Sequence, residues 1–219
     1  MIYVLNGGRN ERGVMSNPAM LALYRELGIE RMLVVPLAIV EESWQDFWQQ
    51  NTAFFRGADF SVQTVTTHDS AETTAQKIAW ADSVYFPGGS QETLLSRIGE
   101  LDIAVAIERA GDQIKLLGGG SAGAMIFGSQ CILGHVEVKR LVPGMGWLAG
   151  SLVDSHFANR QRQPRLRAVL ADNPELRGVG VDEDTAALFD EEYNLMQVVG
   201  PGSVYLYDNG IEKVHDSTS

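Results

Sequence analysis

The run Gly119-Gly120-Ser121-Ala122-Gly123 has the spacing G-x-S-x-G, with an apolar strand pattern before it and an apolar helix start after it. A serine on so tight a strand-to-helix turn projects its hydroxyl beyond the carboxyl edge of a sheet. Small neighbours accommodate the strained backbone and let a substrate come close. The amide of Ala122 points the same way and is a candidate oxyanion donor. A glycine-rich turn before a helix can instead hold a phosphate. Here no P-loop lysine follows, and the glycine spacing does not fit a dinucleotide fingerprint. The motif therefore points to Ser121 as the nucleophile of an acyl transfer.

A serine hydroxyl attacks only if a base takes its proton. Of the four histidines, His215 reads as part of a frayed tail and His135 as part of a hairpin. His68 follows a strand. His156 stands in Asp154-Ser155-His156-Phe157 after the apolar pair Leu152-Val153, the strand-end position at which open α/β sheets present catalytic groups. His156 is preferred over His68, and the bland alternative is a surface histidine. The acid that orients the imidazole is sought among Asp154, Asp182, Glu183 and Asp184, all at strand ends. The last three directly follow Gly178-Val-Gly-Val181, where composition alone reads an acidic solvated turn.

A second glycine pair ends the strand pattern Ser83–Phe86, in Pro87-Gly88-Gly89-Ser90-Gln91. If that strand neighbours the serine strand, Gly89 supplies a second oxyanion donor. Ser90 and Gln91 would then reach substrate, although Ser90 can equally cap the next helix. Arg160, Arg162, Arg165 and Arg167 cluster just after His156 with no acid between them. They form either a solvated helix face or a patch whose guanidiniums pair with a substrate carboxylate.

The elements that would carry these residues alternate short apolar runs with amphipathic stretches, the pattern of a mostly parallel sheet with helices on both faces. Strands are expected at Ile2–Leu5, Met32–Ala38, Phe60–Thr66, Ser83–Phe86 and Ile114–Leu117. Helices are expected from Asn17-Pro18 (cap and first-turn proline) to Leu27 and over Glu42–Gln50, Ser70–Trp80, Glu92–Arg97 and Leu101–Ala110. Beyond Gly123 the texture turns to short strands, at 131–138, 151–154, 178–182, 185–189, 194–199 and 203–207, with one helix at Pro164–Ala171. No linker or repeat interrupts the 219 residues, so a single domain is expected, with 216–219 as a tail.

The formal net charge of -11 disfavours a nucleic-acid partner. No apolar run approaches the ~20 residues of a membrane span, and no secretory signal is read at the start of the chain, so a cytoplasmic location is expected. The single Cys131 excludes an intrachain disulfide. No spacing of metal ligands is present, and neither a metal nor an organic cofactor is called for.

Together the blocks Phe86-Pro-Gly-Gly-Ser-Gln91, Gly119-Gly-Ser-Ala-Gly-Ala124, Asp154-Ser-His-Phe157 with its arginines, and Gly178-Val-Gly-Val-Asp-Glu-Asp-Thr-Ala186 resemble the serine peptidase family that contains cyanophycinase and aspartyl dipeptidase (peptidase E). The arginine pattern is closer to the cyanophycinase branch. The resemblance implies a three-layer α/β sandwich of the class I glutamine-amidotransferase type. It also implies a triad of Ser121, His156 and Glu183, with Gly89 and Ala122 as oxyanion donors. On the same footing Ser90, Gln91, Asp154, Arg160, Arg162 and Arg165 would form the substrate site. The expected substrate is a short peptide or isopeptide carrying an acidic group, and the family's monomers and dimers make a homodimer one of the two expected assemblies. An esterase on the same nucleophile, and a non-catalytic amidotransferase-like binding module, are the competing readings.

Overall fold

Strand β1 (Ile2–Asn6) sends Tyr3 and Leu5 into one buried cluster and Val4 into another. A strand buried on both faces belongs in the middle of a covered sheet. In the computed structural model, which describes residues 1–9, 18–39, 55–56, 58–133 and 140–217, that is where β1 lies. It runs parallel to β5 (Leu116–Gly120), which is followed outward by β4 (Ser83–Phe86), β2 (Arg31–Val34) and β3 (Ser61–Thr64), all parallel. On its other side β10 (Ala186–Phe189) and β11 (Leu195–Val199) complete a seven-stranded sheet in antiparallel sense.

The alternation repeats in each inner strand and so builds three layers. Val4, Met32, Val34, Tyr85 and Leu116 pack with Met20, Leu23 and Tyr24 of α1 (Pro18–Glu26) and with Phe55 and Phe60. Leu33, Val84, Phe86 and Leu117 face the opposite side. There they meet Ile78 of α2 (Ala71–Trp80), Leu94 and Ile98 of α3 (Gln91–Glu100), and Ile103 and Ile107 of α4 (Ile103–Ala110). Helices thus cover both faces of a mainly parallel sheet, as the sequence pattern leads one to expect.

The short strands of the second half pair among themselves. They make a six-stranded sheet in the order β13 (Ile211–Asp216), β12 (Ser203–Asp208), β9 (Arg177–Val181), β8 (Leu148–Ser155), β6 (Gly128–Leu133), β7 (Arg140–Pro143). In its centre β8 runs parallel to both β6 and β9. Leu152, Val153, Val179 and Val204 join the larger core, as do Leu166 and Val169 of α6 (Gln163–Asp172). The reading of His215 and Asp216 as part of a tail is corrected: both belong to β13, which pairs with β12, His215 opposite Val204 and Asp216 opposite Ser203, while 218–219 lie outside the described residues. The strand expected over Met32–Ala38 is shorter, because β2 ends at Val34. The helix expected over Glu42–Gln50, the cap at Asn17, and His135 lie outside the described residues. No helix among the described residues is long and apolar enough to cross a membrane.

Candidate active site

Register brings the motifs together. Asn6 pairs with Gly120, and Phe86 with Gly119, so β1, β5 and β4 end side by side. In the second sheet Ser155 pairs with Val181, so the turns that begin at His156 and Asp182 also emerge together. The two sheets meet at this edge. Within the seven-stranded sheet Asn6 is in register with Ala186 and the Gly7 amide donates to the Thr185 carbonyl (3.0 Å); the His156 amide, at the end of β8, donates across to the Gly7 carbonyl (2.7 Å).

Ser121 sits between β5 and the single turn α5 (Ala122–Met125), with φ +53° and ψ −119°. A non-glycine residue in that region is strained and is held there by its surroundings. The Ser121 amide donates to the Asn6 carbonyl (2.9 Å). The flanking glycines leave no room for a side chain: a Cβ on Gly123 would lie 1.8 Å from the Phe86 carbonyl oxygen, and one on Gly119 2.3 Å from the Gly123 carbonyl oxygen. The glycines therefore let the elbow pack directly on β4.

Ser121 Oγ lies 2.9 Å from His156 Nε2, and His156 Nδ1 lies 2.6 Å from Glu183 Oε1. A carboxylate only accepts, so Nδ1 carries the proton and donates to Glu183; Nε2 is then left to accept from the serine hydroxyl. Burial pushes the His156 imidazole below its ordinary range. The Glu183 hydrogen bond and charge oppose this, while the Arg160 and Arg162 charges add to it. The imidazole is therefore neutral near pH 7, the form a base requires. Glu183 is selected from its neighbours by the turn. Asp182 turns away to accept from the Ala158 and Ser203 amides (2.8 and 3.1 Å). The Asp184 amide donates to the Gly8 carbonyl (2.9 Å).

In front of Ser121 lies a cleft of about 320 Å³ bordered by Gly88, Gly89, Tyr85, Arg9, Arg160 and His156. Gly89 is on its wall, and its φ of +139° together with the Ala38 carbonyl oxygen, 2.4 Å from any added Cβ, requires glycine. Ala122 is the first residue of α5, where an amide has no acceptor within the helix.

Other proposed contacts fall elsewhere. Ser90 caps α3, its hydroxyl accepting from the Thr93 amide (3.2 Å). Gln91 Nε2 donates to the Ile132 carbonyl (3.3 Å). Asp154 is fully buried and accepts from Arg162 Nη1 (2.9 Å) and Arg165 Nε (3.0 Å). Arg162 and Arg165 are thus both drawn onto the chain's own buried carboxylate, while Arg160 borders the cleft. His68 is exposed on the turn after β3, away from the cleft. Arg9, Asn6 and Tyr85 line the cleft without having been singled out from the sequence. Arg9 was signalled by its place after Gly7-Gly8, the same strand-end position that marks Ser121 and His156. Among the described residues no group of three His, Cys, Asp or Glu side chains could hold a metal ion.

The chain is similar to cyanophycinases. It is 33% identical to that of Geminocystis herdmanii (strain PCC 6308) over 137 residues, which cover 58% of this chain and 49% of the relative. It is 34% identical to that of Trichormus variabilis (strain ATCC 29413 / PCC 7937) over 134 residues, or 57% and 44%. The matched part thus spans about half the length of these relatives. The fold is similar to the crystal structure of a peptidase from an acI-B1 Actinobacterium, with a TM-score of 0.74 at 20% identity, covering 100% of this chain and 95% of that one. The model of Peptidase family S51 matches residues 3–196, a stretch that contains the serine elbow, the histidine turn and the acidic turn, and the chain belongs to that family.

Proposed function

We propose that the chain is a serine peptidase that hydrolyses short peptides or isopeptides bearing a carboxylate group, through an acyl-enzyme. The observation that carries the reading is the unbroken hydrogen-bond chain from Ser121 Oγ through His156 to Glu183, at 2.9 and 2.6 Å. Ser121 Oγ attacks the carbonyl carbon while its proton passes to His156 Nε2. Glu183 steadies the resulting imidazolium. The amides of Gly89 and Ala122 hold the oxyanion, and each such donor is worth about 3–4 kcal/mol in the transition state. His156 then hands the proton to the leaving amine, the C–N bond breaks, and the acyl group stays on Ser121. Water, deprotonated by the same imidazole, releases the acid and restores the hydroxyl. Arg160, exposed at the rim of the cleft, is placed to pair with a substrate carboxylate.

The test is a library of α-linked and β-aspartyl dipeptides, with matching esters, given to the wild-type chain and to Ser121→Ala. The wild type should cleave amides. The variant should stay folded and lose at least about 10⁴-fold in kcat. Activity that survives in Ser121→Ala removes the serine from the mechanism. Turnover of esters alone replaces the peptidase with an esterase.

A further inference from the structure

Directly behind His156 lies a cluster that the catalytic steps do not use. Asp154 Oδ1 accepts from the Ser155 amide (2.9 Å) and from Arg162 Nη1 (2.9 Å), and Arg165 grips both oxygens of the same carboxylate. Arg162 Nη1 also donates to the Ser155 carbonyl (2.8 Å). One guanidinium nitrogen thus ties the start of α6 to the two residues that precede the histidine. The loop between is short and strained. His156 has φ +49° and Gln161 +52°, the Arg160 amide donates to the His156 carbonyl (3.0 Å), and the Arg162 amide to the Phe157 carbonyl (2.9 Å).

Resting on the proposed peptidase reading, we propose that Arg162 is a positioning residue: anchored on Asp154 and the Ser155 carbonyl, it clamps the 156–162 loop so that Nε2 stays aimed at Ser121. It is not a contact for the substrate carboxylate. Its side chain is 15% exposed and is committed to the chain's own groups. Of the arginines that follow His156, the one at the cleft is Arg160.

The groups that surround the imidazole set the sign of the charge effect. Glu183 approaches from the turn after β9, flanked by Asp182 and Asp184. Arg9 borders the same cleft from the turn after β1, and Tyr85 from β4. Arg160 and Arg162 lie on the histidine's own loop, with Asp154 of β8 and Arg165 of α6 behind it. The negative charges among these favour the imidazolium, and the positive ones oppose it. The Arg162 guanidinium acts with burial in holding the His156 imidazole low. Removing its charge must move the imidazole's titration to higher pH.

The experiment uses Arg162→Met, Arg162→Lys and, for comparison, Arg160→Met. The His156 ring protons are titrated by NMR, and kcat and KM are measured for a β-aspartyl and a neutral dipeptide. In Arg162→Met the His156 midpoint should rise, kcat should fall about 10- to 100-fold through misplacement of the base, and KM should change alike for both substrates. Arg162→Lys should keep the midpoint near that of the wild type while kcat still falls. Arg160→Met should instead raise KM selectively for the β-aspartyl substrate. An unmoved midpoint in Arg162→Met, with a KM rise confined to the acidic substrate, overturns the inference. Should Arg162→Met not fold, Arg162→Lys decides it: raised KM with unchanged kcat overturns the positioning role, and lowered kcat with unchanged KM supports it. If the wild type cleaves nothing, the peptidase reading has failed on its own account. The midpoints of folded wild type and variants still decide whether Arg162 acts on His156.

Discussion

A base is useful only in its unprotonated form, and at His156 burial supplies that form. Water is withdrawn from the imidazole, which penalises the cation, and the nearby Arg160 and Arg162 charges act in the same direction. Glu183 opposes both but does not outweigh them. As pH falls, the neutral base therefore persists below the ordinary histidine range. The acid limb of kcat/KM should lie at lower pH than for a free imidazole, which a pH–rate profile on a dipeptide substrate checks; a limb above pH 7 would mean that Glu183 dominates. The tautomer is as important as the charge. In Glu183→Gln the amide nitrogen can donate to Nδ1 and so favour the proton on Nε2, where it blocks acceptance from Ser121. The expected loss is about 10⁴-fold in kcat with the fold intact. Single-turnover kinetics with an unchanged melting curve would show it.

At the scale of elements, the glycines are where backbone meets backbone. Gly123 touches the end of β4 so closely that Gly123→Ala, with its Cβ 1.8 Å from the Phe86 carbonyl oxygen, must push the elbow away from β4. Both Tm and kcat should drop. Gly99, near the end of α3, has nothing within 4 Å of an added Cβ. There Gly99→Ala should add about 0.5–1 kcal/mol and leave kcat unchanged. Calorimetry and steady-state assays on the pair separate the two cases. The contrast also explains what a sequence can disclose. Ser121 is legible because its elbow is contiguous and its neighbours must be small. The choice among Asp182, Glu183 and Asp184 is not local: it depends on how the turn after β9 meets the histidine loop. The partners of the arginines are not legible either: Arg162 and Arg165 pair with Asp154 on the preceding strand and Arg167 with Glu212 of β13, and proximity in the chain does not reveal who is paired with whom. The second sheet was visible only as separate strands, since its order joins segments far apart in sequence. β13 does carry a local signal: Asn209-Gly210, at φ +48° and +76°, has the positive angles of a two-residue hairpin turn.

For the whole molecule, the consequence is that the nucleophile and its base come from different sheets. Ser121 is carried by the seven-stranded sheet, while His156 and Glu183 extend from β8 and β9 of the six-stranded one. Their 2.9 Å contact therefore depends on the joint between the sheets. Asp182 holds the second-sheet half of that joint: one oxygen takes the Ala158 amide from the histidine loop, and the other takes the Ser203 amide from the start of β12. Asp182→Asn keeps the shape but turns one acceptor into a donor facing an amide donor. Losing one hydrogen bond to a charged acceptor at this part-buried site costs about 2 kcal/mol. For a chain of this size that lowers Tm by roughly 4–8 °C. If the joint positions the triad, kcat must fall in the same variant at a temperature where it is fully folded, with KM little changed. A thermal melt paired with assays well below the new Tm makes the distinction. A lower Tm with full kcat would mean that the sheets hold the catalytic residues in place without Asp182.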